Sequence, residues 1–423
     1  MPPLDDLRLF DVAVMLASNA LQLYVSMTGF FYAALSLRGL VRSPRPPLDE
    51  GPRRRFAVLV PAHDERNVIA FAVDSLIGMD YPRDLFEVIV ITDHCTDETA
   101  TIAAAGGARV LDYAGSGPRG KGFALRWATS QILADSRFDA VCYFDADSLA
   151  HPRFLEVMNA RLGAGAAVIQ GRQVSKNPRE GWIARMLCSG HIITARLMQY
   201  PKVELGLSAT LHGKGMCFAA GVLREHPWDG TCLTEDLDMQ MRLVLGGVRI
   251  DWSDEAVVYN EEPVTATQYV RRAIRWTAGA LMVARRYMGG LFRRALRERD
   301  PSAFEAALCC SLAYRLPLAS LTALLVAAFP DSSNLLVWMF ERLPGVAAAS
   351  KTASLIPLLL YPAIALFLEG APASLYLAYL LRPSLGVFRI PIYVCGMFQS
   401  HADWARTEHR SRVEIADLVR GGL

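Results

Sequence analysis

The chain has 423 residues, 52% of them hydrophobic, and a formal net charge of +2. This length exceeds what one ordinary core uses, so we expect two or more structural units. The near-neutral charge excludes a protein that binds nucleic acid through bulk positive charge, and no nucleic-acid partner is expected. The positive mean hydropathy is high for a soluble enzyme. Its apolar residues concentrate near the N-terminus and after about residue 303.

The first apolar segment, residues 12–37, is long enough to cross a bilayer as a helix. Its acidic flank and its length argue against a cleaved signal peptide. Several arginines follow it, and the positive-inside rule then places the following chain in the cytoplasm. The proline-rich residues 43–52 are typical of a stiff linker to a cytosolic domain.

From residue 56 onwards, short apolar runs alternate with helical patterns. Strong strands are predicted at 56–61, 86–92, 108–112 and 141–144, and weaker ones at 167–171, 216–220 and 248–252. Helices are predicted at 66–78, 96–105 (with Thr96 as its cap), 120–134, 180–200 and 237–245. Strands that alternate with helices indicate an α/β fold with a mostly parallel sheet.

A long helix rich in arginine is predicted at 267–287. Because it is basic and amphipathic, we expect it on the cytoplasmic membrane surface, the alternative being a solvated helix face. Two further spans are predicted at 308–329 and 352–368. The segments 372–381 and 385–398 are interrupted by arginine and proline, which favours interfacial or re-entrant helices.

Three spans predict a multi-pass protein of the inner (plasma) membrane with its catalytic domain in the cytoplasm. Arg315 lies inside the second span. An arginine there is costly unless it snorkels towards the cytoplasm or faces a polar path such as that of a polymer, and both interpretations stay open.

The eight cysteines form no C-x-x-C pair, and no histidine spacing completes a zinc site. We therefore expect free buried thiols in a reducing compartment and assign no catalytic role to any of them.

Acidic side chains follow three of the predicted strands, at the sheet edge where open α/β folds bind ligands. Asp145 and Asp147 come directly after the fourth strand. Two close carboxylates suit Mg²⁺ or Mn²⁺, and such ions usually arrive with a phosphate. The alternative is an Asp-rich turn.

The first two strands end in segments that contain His63, Glu65 and Asp93, and Asp93 could hold polar edges of a base or ribose. Lys121 stands between two glycines at a predicted helix start, where a lysine and backbone N–H groups suit a diphosphate. A nucleotide diphosphate bound through a divalent ion would account for all of these features together. Unrelated turns are the alternative.

The ordered segments VPAHDE, VIVITDHCTDETA, GKGFAL, FDADS, LHGKGMCF, LTEDLDM and RAIRW resemble the membrane-bound branch of the family 2 glycosyltransferases. The resemblance covers residues 56 to about 290 and extends to the tail. It implies a GT-A nucleotide-sugar-binding domain, α/β with a mostly parallel sheet, joined to transmembrane and interfacial helices. It also implies a UDP-sugar donor and a Mg²⁺ or Mn²⁺ cofactor.

The same resemblance implies roles for individual residues. His63, Glu65 and Lys121 would bind the donor, and Asp93 would contact its uracil. Asp145 and Asp147 would contact the donor and its metal.

Asp236 would be the general base for an inverting displacement, with Glu235 beside it at the acceptor. One carboxylate must stand near the acceptor, apart from those that hold the metal. Acids in a first helical turn are also favoured by the helix dipole, and both interpretations can hold together.

The segment RAIRW corresponds to the family's Q-x-x-R-W motif. Arg275 would help to bind the diphosphate, and Trp276 would stack on the acceptor sugar. Arg272 stands where glutamine is usual, and in this the chain is similar to ceramide glucosyltransferases. That departure leaves the nature of the acceptor open.

The tail segment containing Trp404, Arg406 and Thr407 resembles the gating loop of hyaluronan and cellulose synthases, which closes over the donor. The alternative is a surface tail that Trp404 anchors at the membrane interface.

Three functions are therefore considered. The sequence favours a processive synthase, which would extend a β-linked polysaccharide and export it, together with any export partners. A lipid glycosyltransferase would add one sugar to a ceramide, hopanoid or diacylglycerol. A non-catalytic scaffold with a nucleotide-sensing domain is disfavoured by the complete set of acids.

The expected organisation has five parts. These are an anchor (1–42), a catalytic domain (43–264), interface helices (265–302), C-terminal membrane helices (303–402) and a cytosolic tail (403–423).

Overall fold

A computed structural model describes residues 9–42, 51–115, 117–328, 345, 359–399, 411 and 413–420. Within these residues, strands form one mixed sheet. Its members are β1 (Phe56–Ala62), β2 (Phe86–Thr92), β3 (Arg109–Asp112), β4 (Ala140–Tyr143), β5 (Leu149–Ala150), β6 (Val168–Ser175), β7 (Met216–Ala219) and β8 (Ile250–Asn260).

The strand order is β3-β2-β1-β4-β7-β6-β8-β5. Four of the seven pairings are parallel, which confirms the predicted α/β class with a mostly parallel sheet. The register sets Ala62 opposite Thr92 and Leu59 opposite Tyr143. The chain therefore leaves β1, β2 and β4 at the same edge of the sheet.

The helices before the basic segment are α1 (Leu9–Leu40), α2 (Ile69–Ile77), α3 (Thr99–Ala105), α4 (Lys121–Ala134), α5 (Phe154–Gly163), α6 (Trp182–Thr194), α7 (Tyr200–Glu204), α8 (Ala220–Glu225) and α9 (Glu235–Leu245). After it come α10 (Ala266–Glu298), α11 (Pro301–Ser311), α12 (Arg315–Ala328), α13 (Tyr361–Leu368), α14 (Ala373–Leu381), α15 (Arg389–Phe398) and α16 (Ile415–Arg420). A π-helical turn, Ala195–Gln199, joins α6 to α7.

The sheet separates two apolar cores because successive strand side chains point to opposite faces. Val58 and Val60 of β1 pack with α2, α3 and α5 on one face. Ala57 and Leu59 pack with α4 and α9 on the other. Burial on both faces explains why β1, β2 and β4 are continuous apolar runs in the sequence.

The predicted central strands are confirmed within one or two residues, whereas several peripheral elements differ. β5 and α5 have no predicted counterpart, and β8 extends from Ile250 to Asn260, well beyond the expected 248–252. α10 runs to Glu298 because Leu291 and Ala295 continue its buried face past the predicted end at residue 287.

The predicted cap of α3 is wrong. The N-cap position is held by Glu98, and α3 has no side-chain cap. Thr96 instead donates its backbone N–H to Oδ1 of Asp64 at 2.6 Å. That bond ties the turn after β2 to the turn after β1.

Two helical stretches among the described residues, Val12–Leu40 and Pro301–Leu325, are long and apolar enough to cross a membrane by length and composition. A 3₁₀ turn, Leu312–Tyr314, interrupts the second of these, and Arg315 follows it in an exposed position. The third predicted span, 352–368, lies partly outside the described residues, which resume there at residue 359.

A buried ion pair joins these apolar helices to the α/β domain. Nζ of Lys202 on α7 lies 2.8 Å from Oε1 of Glu305 on α11, and both side chains are 2% exposed. The hydroxyl of Tyr32 on α1 donates to the same carboxylate oxygen at 3.1 Å. One carboxylate thus connects α1, α7 and α11.

Candidate functional site

A cleft of about 1090 Å³ opens at the edge where β1, β2 and β4 end. It is enclosed by those strand ends, by the start of α4 and α9, and by the first turns of α10. All the predicted donor, metal, base and acceptor residues that the structure describes line it: His63, Glu65, Asp93, Lys121, Asp145, Asp147, Glu235, Asp236, Arg272, Arg275 and Trp276. This is a suitable volume for a nucleotide sugar.

The parallel register of β1 and β2 brings His63 and Asp93 together. Nδ1 of His63 is hydrogen-bonded to the backbone oxygen of Asp93. One carboxylate oxygen of Asp93 accepts the N–H of Gly120 at 3.0 Å, and the other lies 2.7 Å from Nδ1 of His94. Asp93 thereby fixes the loop that leads into α4.

Lys121 joins two of the predicted acids. Its Nζ lies 2.7 Å from Oδ1 of Asp145 and 2.8 Å from Oε1 of Glu235. It also donates to the backbone oxygen of Gly213 at 3.1 Å. Burial alone would raise the pKa of Asp145, but Lys121 and Lys214 hold it below its usual range. Asp145 is therefore a carboxylate, the form that a cation binds.

Asp147 is 3% exposed, and its Oδ2 accepts the backbone N–H of Glu261 at 3.2 Å. Its backbone oxygen accepts a hydrogen bond from Lys176. The ligands that Asp145 and Asp147 can offer are all oxygens, which are the donors that Mg²⁺ and Mn²⁺ prefer. The chemistry of this pair therefore fits a hard divalent cation together with phosphate oxygens.

Asp236 lies in the first turn of α9, and the residue is 3% exposed. Burial and the neighbouring Glu235 raise its pKa to about 7, although Lys121 opposes the increase. The N–H of Leu237 donates to Oδ1 at 2.8 Å. A carboxylate with a pKa near neutrality is suited to accept a proton.

Arg272 of α10 is tied to a completely buried carboxylate, that of Glu262, at 3.1 Å. Nε2 of His191 lies 2.7 Å from the other oxygen of Glu262. Burial would raise the pKa of Glu262, but His191 and Arg272 lower it to about 2. The network fixes the first turns of α10 against the end of β8.

Arg275 and Trp276 follow on the same helix and line the same wall of the cleft. Among the described residues, Arg275 has no hydrogen bond or ion pair.

Several cleft residues had no predicted role, although some lie in segments used for the resemblance. They are His191, His212, Lys214, Glu261 and Glu262. The available signal was LHGKG, in which a histidine and a lysine alternate with glycines. The others belong to no short motif.

The predicted gating residues Trp404, Arg406 and Thr407 lie outside the described residues. Ser411, four residues after Thr407, is described and is docked beside the cleft. Its N–H donates to Glu261 at 3.1 Å, and its hydroxyl donates to Glu180 at 2.9 Å. The tail therefore returns to the side of the molecule that carries the cleft.

Residues 52–279, more than half of the chain, match the family model described as "Glycosyltransferase like family 2". The chain is 25% identical over 252 residues to a probable glycosyltransferase, YdaM, of Bacillus subtilis, covering 56% of this chain and 58% of that protein. It is 26% identical over 281 residues to a beta-monoglucosyldiacylglycerol synthase of Nostoc sp., covering 64% of this chain and 58% of the relative. The aligned region thus spans less than two thirds of each relative.

Among solved structures, the mannosyltransferase PcManGT from Pyrobaculum calidifontis, in complex with GDP-Man and Mn²⁺, superposes with a TM-score of 0.53 at 18% identity. The match covers 87% of this chain and 99% of that one. At this identity the likeness shows a shared fold.

Proposed function

Since the chain belongs to the family 2-like glycosyltransferases, we propose that it transfers a sugar from a UDP-sugar to an acceptor hydroxyl at a membrane surface, inverting the anomeric carbon. The observation that carries this proposal is the separation of two kinds of carboxylate. Asp145, whose pKa is held below its usual range, and the neighbouring Asp147 offer oxygen ligands. Asp236 is instead buried, and its pKa is raised to about 7. This difference supports one site in which a cation-binding pair and a base act together.

In this function the donor lies along the ends of β1, β2 and β4. Asp93 contacts the uracil, with His63 and Glu65 beside it. Lys121 and Arg275 approach the diphosphate. Asp145 and Asp147 would hold Mg²⁺ or Mn²⁺, and the ion would supply positive charge to the leaving diphosphate. The fold relative from Pyrobaculum calidifontis, solved with GDP-Man and Mn²⁺, agrees with such a cofactor.

Asp236 acts as the general base. It takes the proton of the acceptor hydroxyl while that oxygen forms a bond to the anomeric carbon. The bond from that carbon to the diphosphate oxygen breaks in the same step, so UDP departs with the electron pair and the anomer inverts. Lys121, between Asp145 and Glu235, places positive charge beside both the leaving group and the base.

The acceptor side of the cleft borders helices that suit a bilayer. Gly396 of α15 packs against Thr277 and the backbone of Ile274 on α10, next to Arg275 and Trp276. The outer faces of α14 and α15 expose large apolar side chains, including Leu377, Leu380, Ile390 and Phe398. We therefore favour a membrane lipid as acceptor, with Trp276, Arg272 and Glu235 around its hydroxyl. The relative from Nostoc sp. carries the name of such a lipid enzyme.

A growing β-linked polysaccharide is the second candidate acceptor. The docking of Ser411 beside the cleft favours it, because the gating-like residues Trp404, Arg406 and Thr407 lie four to seven residues before Ser411 in the sequence. A chain of this kind would also have to be exported across the membrane.

In either case we place the catalytic domain, residues 43–264, on the cytoplasmic face of the inner membrane. Val12–Leu40 and Pro301–Leu325 would be its membrane helices.

The test uses the purified full chain in lipid nanodiscs with several UDP-sugars and Mg²⁺ or Mn²⁺, with and without added membrane lipid. Mass spectrometry of the products separates the candidates. One sugar on a lipid supports the lipid enzyme, whereas a polymer ladder supports the synthase. Absence of transfer from every UDP-sugar, by a chain that remains folded, would contradict the proposed function.

A further inference from the structure

The loop between α7 and β7 brings His212 into the cleft and fixes it with two buried glutamine side chains. Oε1 of Gln170 accepts the backbone N–H of His212 at 2.9 Å, and Nε2 of Gln170 donates to the backbone oxygen of Lys214 at 2.9 Å. Gln199, at the end of the π-helical turn, holds the imidazole itself. π-helical insertions in α-helices occur frequently at functional sites.

The contacts of Gln199 determine which nitrogen of His212 carries the proton. Oε1 of Gln199 accepts the N–H of Thr210 at 2.9 Å, so the orientation of the amide is fixed by the backbone. Its Nε2 donates to the backbone oxygen of Thr210 at 3.1 Å and also contacts Nε2 of His212. Because an amide nitrogen only donates, Nε2 of His212 must accept, and the proton of the neutral ring lies on Nδ1.

The surroundings keep this imidazole neutral. Burial, followed by the electrostatic effect of the neighbouring His191, Lys202, Lys214 and Arg272, lowers the pKa of His212 to about 3. A neutral ring with one nitrogen already accepting cannot serve as a proton acceptor for the reaction. It is instead a fixed hydrogen-bond donor.

The position of the loop indicates what Nδ1–H meets. Gly213, with φ of +77°, comes so close to Asp236 that an added Cβ would lie 3.2 Å from its Oδ2. Nζ of Lys214 lies 3.6 Å from Oδ2 of Asp145. Residues 212–214 therefore run between the carboxylate assigned to the metal and the carboxylate assigned as base. In an in-line displacement the transferred sugar must occupy this interval, because its anomeric carbon lies between the leaving diphosphate and the attacking hydroxyl.

Among the described residues, Nδ1 of His212 donates to no other group, and the ring lines the cleft. We propose that His212 is a specificity-determining residue whose Nδ1–H donates a hydrogen bond to an oxygen of the transferred sugar, and that Gln199 imposes this tautomer. The proposal rests on the proposed function, since it takes its ligand to be a UDP-sugar.

Replacing His212 at constant shape tests the subsite. His212→Phe keeps a flat ring but has no donor. His212→Asn places an amide N–H₂ where Nδ1 stands, and His212→Gln places it near Nε2 instead. Dissociation constants are measured by calorimetry for UDP and for UDP-glucose, UDP-galactose and UDP-N-acetylglucosamine with Mg²⁺, using the full chain in nanodiscs.

We expect His212→Phe to weaken the preferred UDP-sugar roughly tenfold, the loss of one hydrogen bond, while UDP binds as before. His212→Asn should retain most of the affinity and His212→Gln should not. If His212→Phe fails to fold, the comparison of His212→Asn with His212→Gln still tests the hydrogen bond from Nδ1.

Equal weakening of UDP and UDP-sugar by His212→Phe would overturn the sugar contact, as would an effect confined to the acceptor KM. Equal affinities of the Asn and Gln variants for the sugar would overturn the Nδ1 assignment. A wild-type chain that binds none of the four nucleotides refutes the proposed function itself, whereas wild-type binding that no His212 variant alters refutes only the subsite.

Discussion

Nη1 of Arg272 lies 3.1 Å from Oε2 of Glu262, a carboxylate with no exposed surface. Arg272 is the residue that stands where glutamine is usual in the family pattern. Its charge is therefore matched within the protein, and the pair holds the start of α10 against the end of β8. We infer that this contact positions Arg275 and Trp276, which follow on the same helix.

Removal of Glu262 should disturb both stability and turnover. Glu262→Ala leaves Arg272 without its buried counter-ion, a change that costs about 3–5 kcal/mol in comparable pairs. The thermal midpoint should fall, and kcat/KM should fall further than for Glu255→Gln, a matched exposed acid on β8. An unchanged thermal midpoint would contradict the importance of this pair.

The low pKa of Glu262 also gives stability a pH dependence. Its folded-state pKa of about 2 lies below the usual value for glutamate, so its contribution is present above about pH 4.3 and is lost as the pH falls towards 2. Thermal midpoints measured at successive pH values should decline less steeply on the acid side for Glu262→Gln than for the wild type.

Asp236→Asn should abolish turnover while leaving UDP binding largely intact. The substitution keeps the shape of the side chain but removes the only group assigned to accept the acceptor's proton. Turnover with a saturating UDP-sugar and calorimetric titration with UDP measure the two effects separately. Retained turnover would exclude Asp236 as the base.

The acidic limb of the pH profile should report Asp236. Because its pKa is raised to about 7, kcat/KM should decline as the pH falls below about 7. Lys121 lowers that pKa, so Lys121→Met should move the limb to higher pH. Lys121→Arg keeps the charge and should leave the limb near its original position. If Lys121→Met and Lys121→Arg shift the acidic limb of the profile equally, a group other than Asp236 titrates there.

Asp147→Ala should weaken donor binding only when the metal is present. The wild type should bind UDP more tightly with Mg²⁺ or Mn²⁺ than with a chelator, and the variant should lose most of that difference. Asp112→Ala, an acid at the end of the edge strand β3, serves as the control. Undiminished metal dependence in Asp147→Ala would count against its assignment as a ligand.

The central strands of the fold were predictable from the sequence because each one is a continuous apolar run. β1, β2 and β4 are buried on both faces, so their positions were clear as apolar runs. β5 is only two residues long, and its pairing with Tyr259 and Val258 depends on a strand more than a hundred residues away. No local pattern specifies such a pairing.

The residues of the candidate site likewise divide into those that a local sequence pattern predicts and those that it does not. Acids that follow strong strands, such as Asp93 and Asp145, were identifiable because the ends of parallel strands meet at one edge. Glu262 and His191 were not, since their role depends on the packing of α6 and α10 around the end of β8. The assignment of Thr96 as a cap failed because a competing partner, Asp64, comes from the neighbouring turn.

The shared carboxylate of Glu305 has a consequence for any attempt to cut the protein into parts. An excised α/β domain would keep Lys202 in a site built to exclude water, but would lose both Glu305 and Tyr32. The ammonium, left without its counter-ion, would then have to draw water into the interior or lose its proton. Soluble fragments that lack the flanking helices should therefore unfold at lower temperature than the whole chain, and Lys202→Met should restore part of that loss.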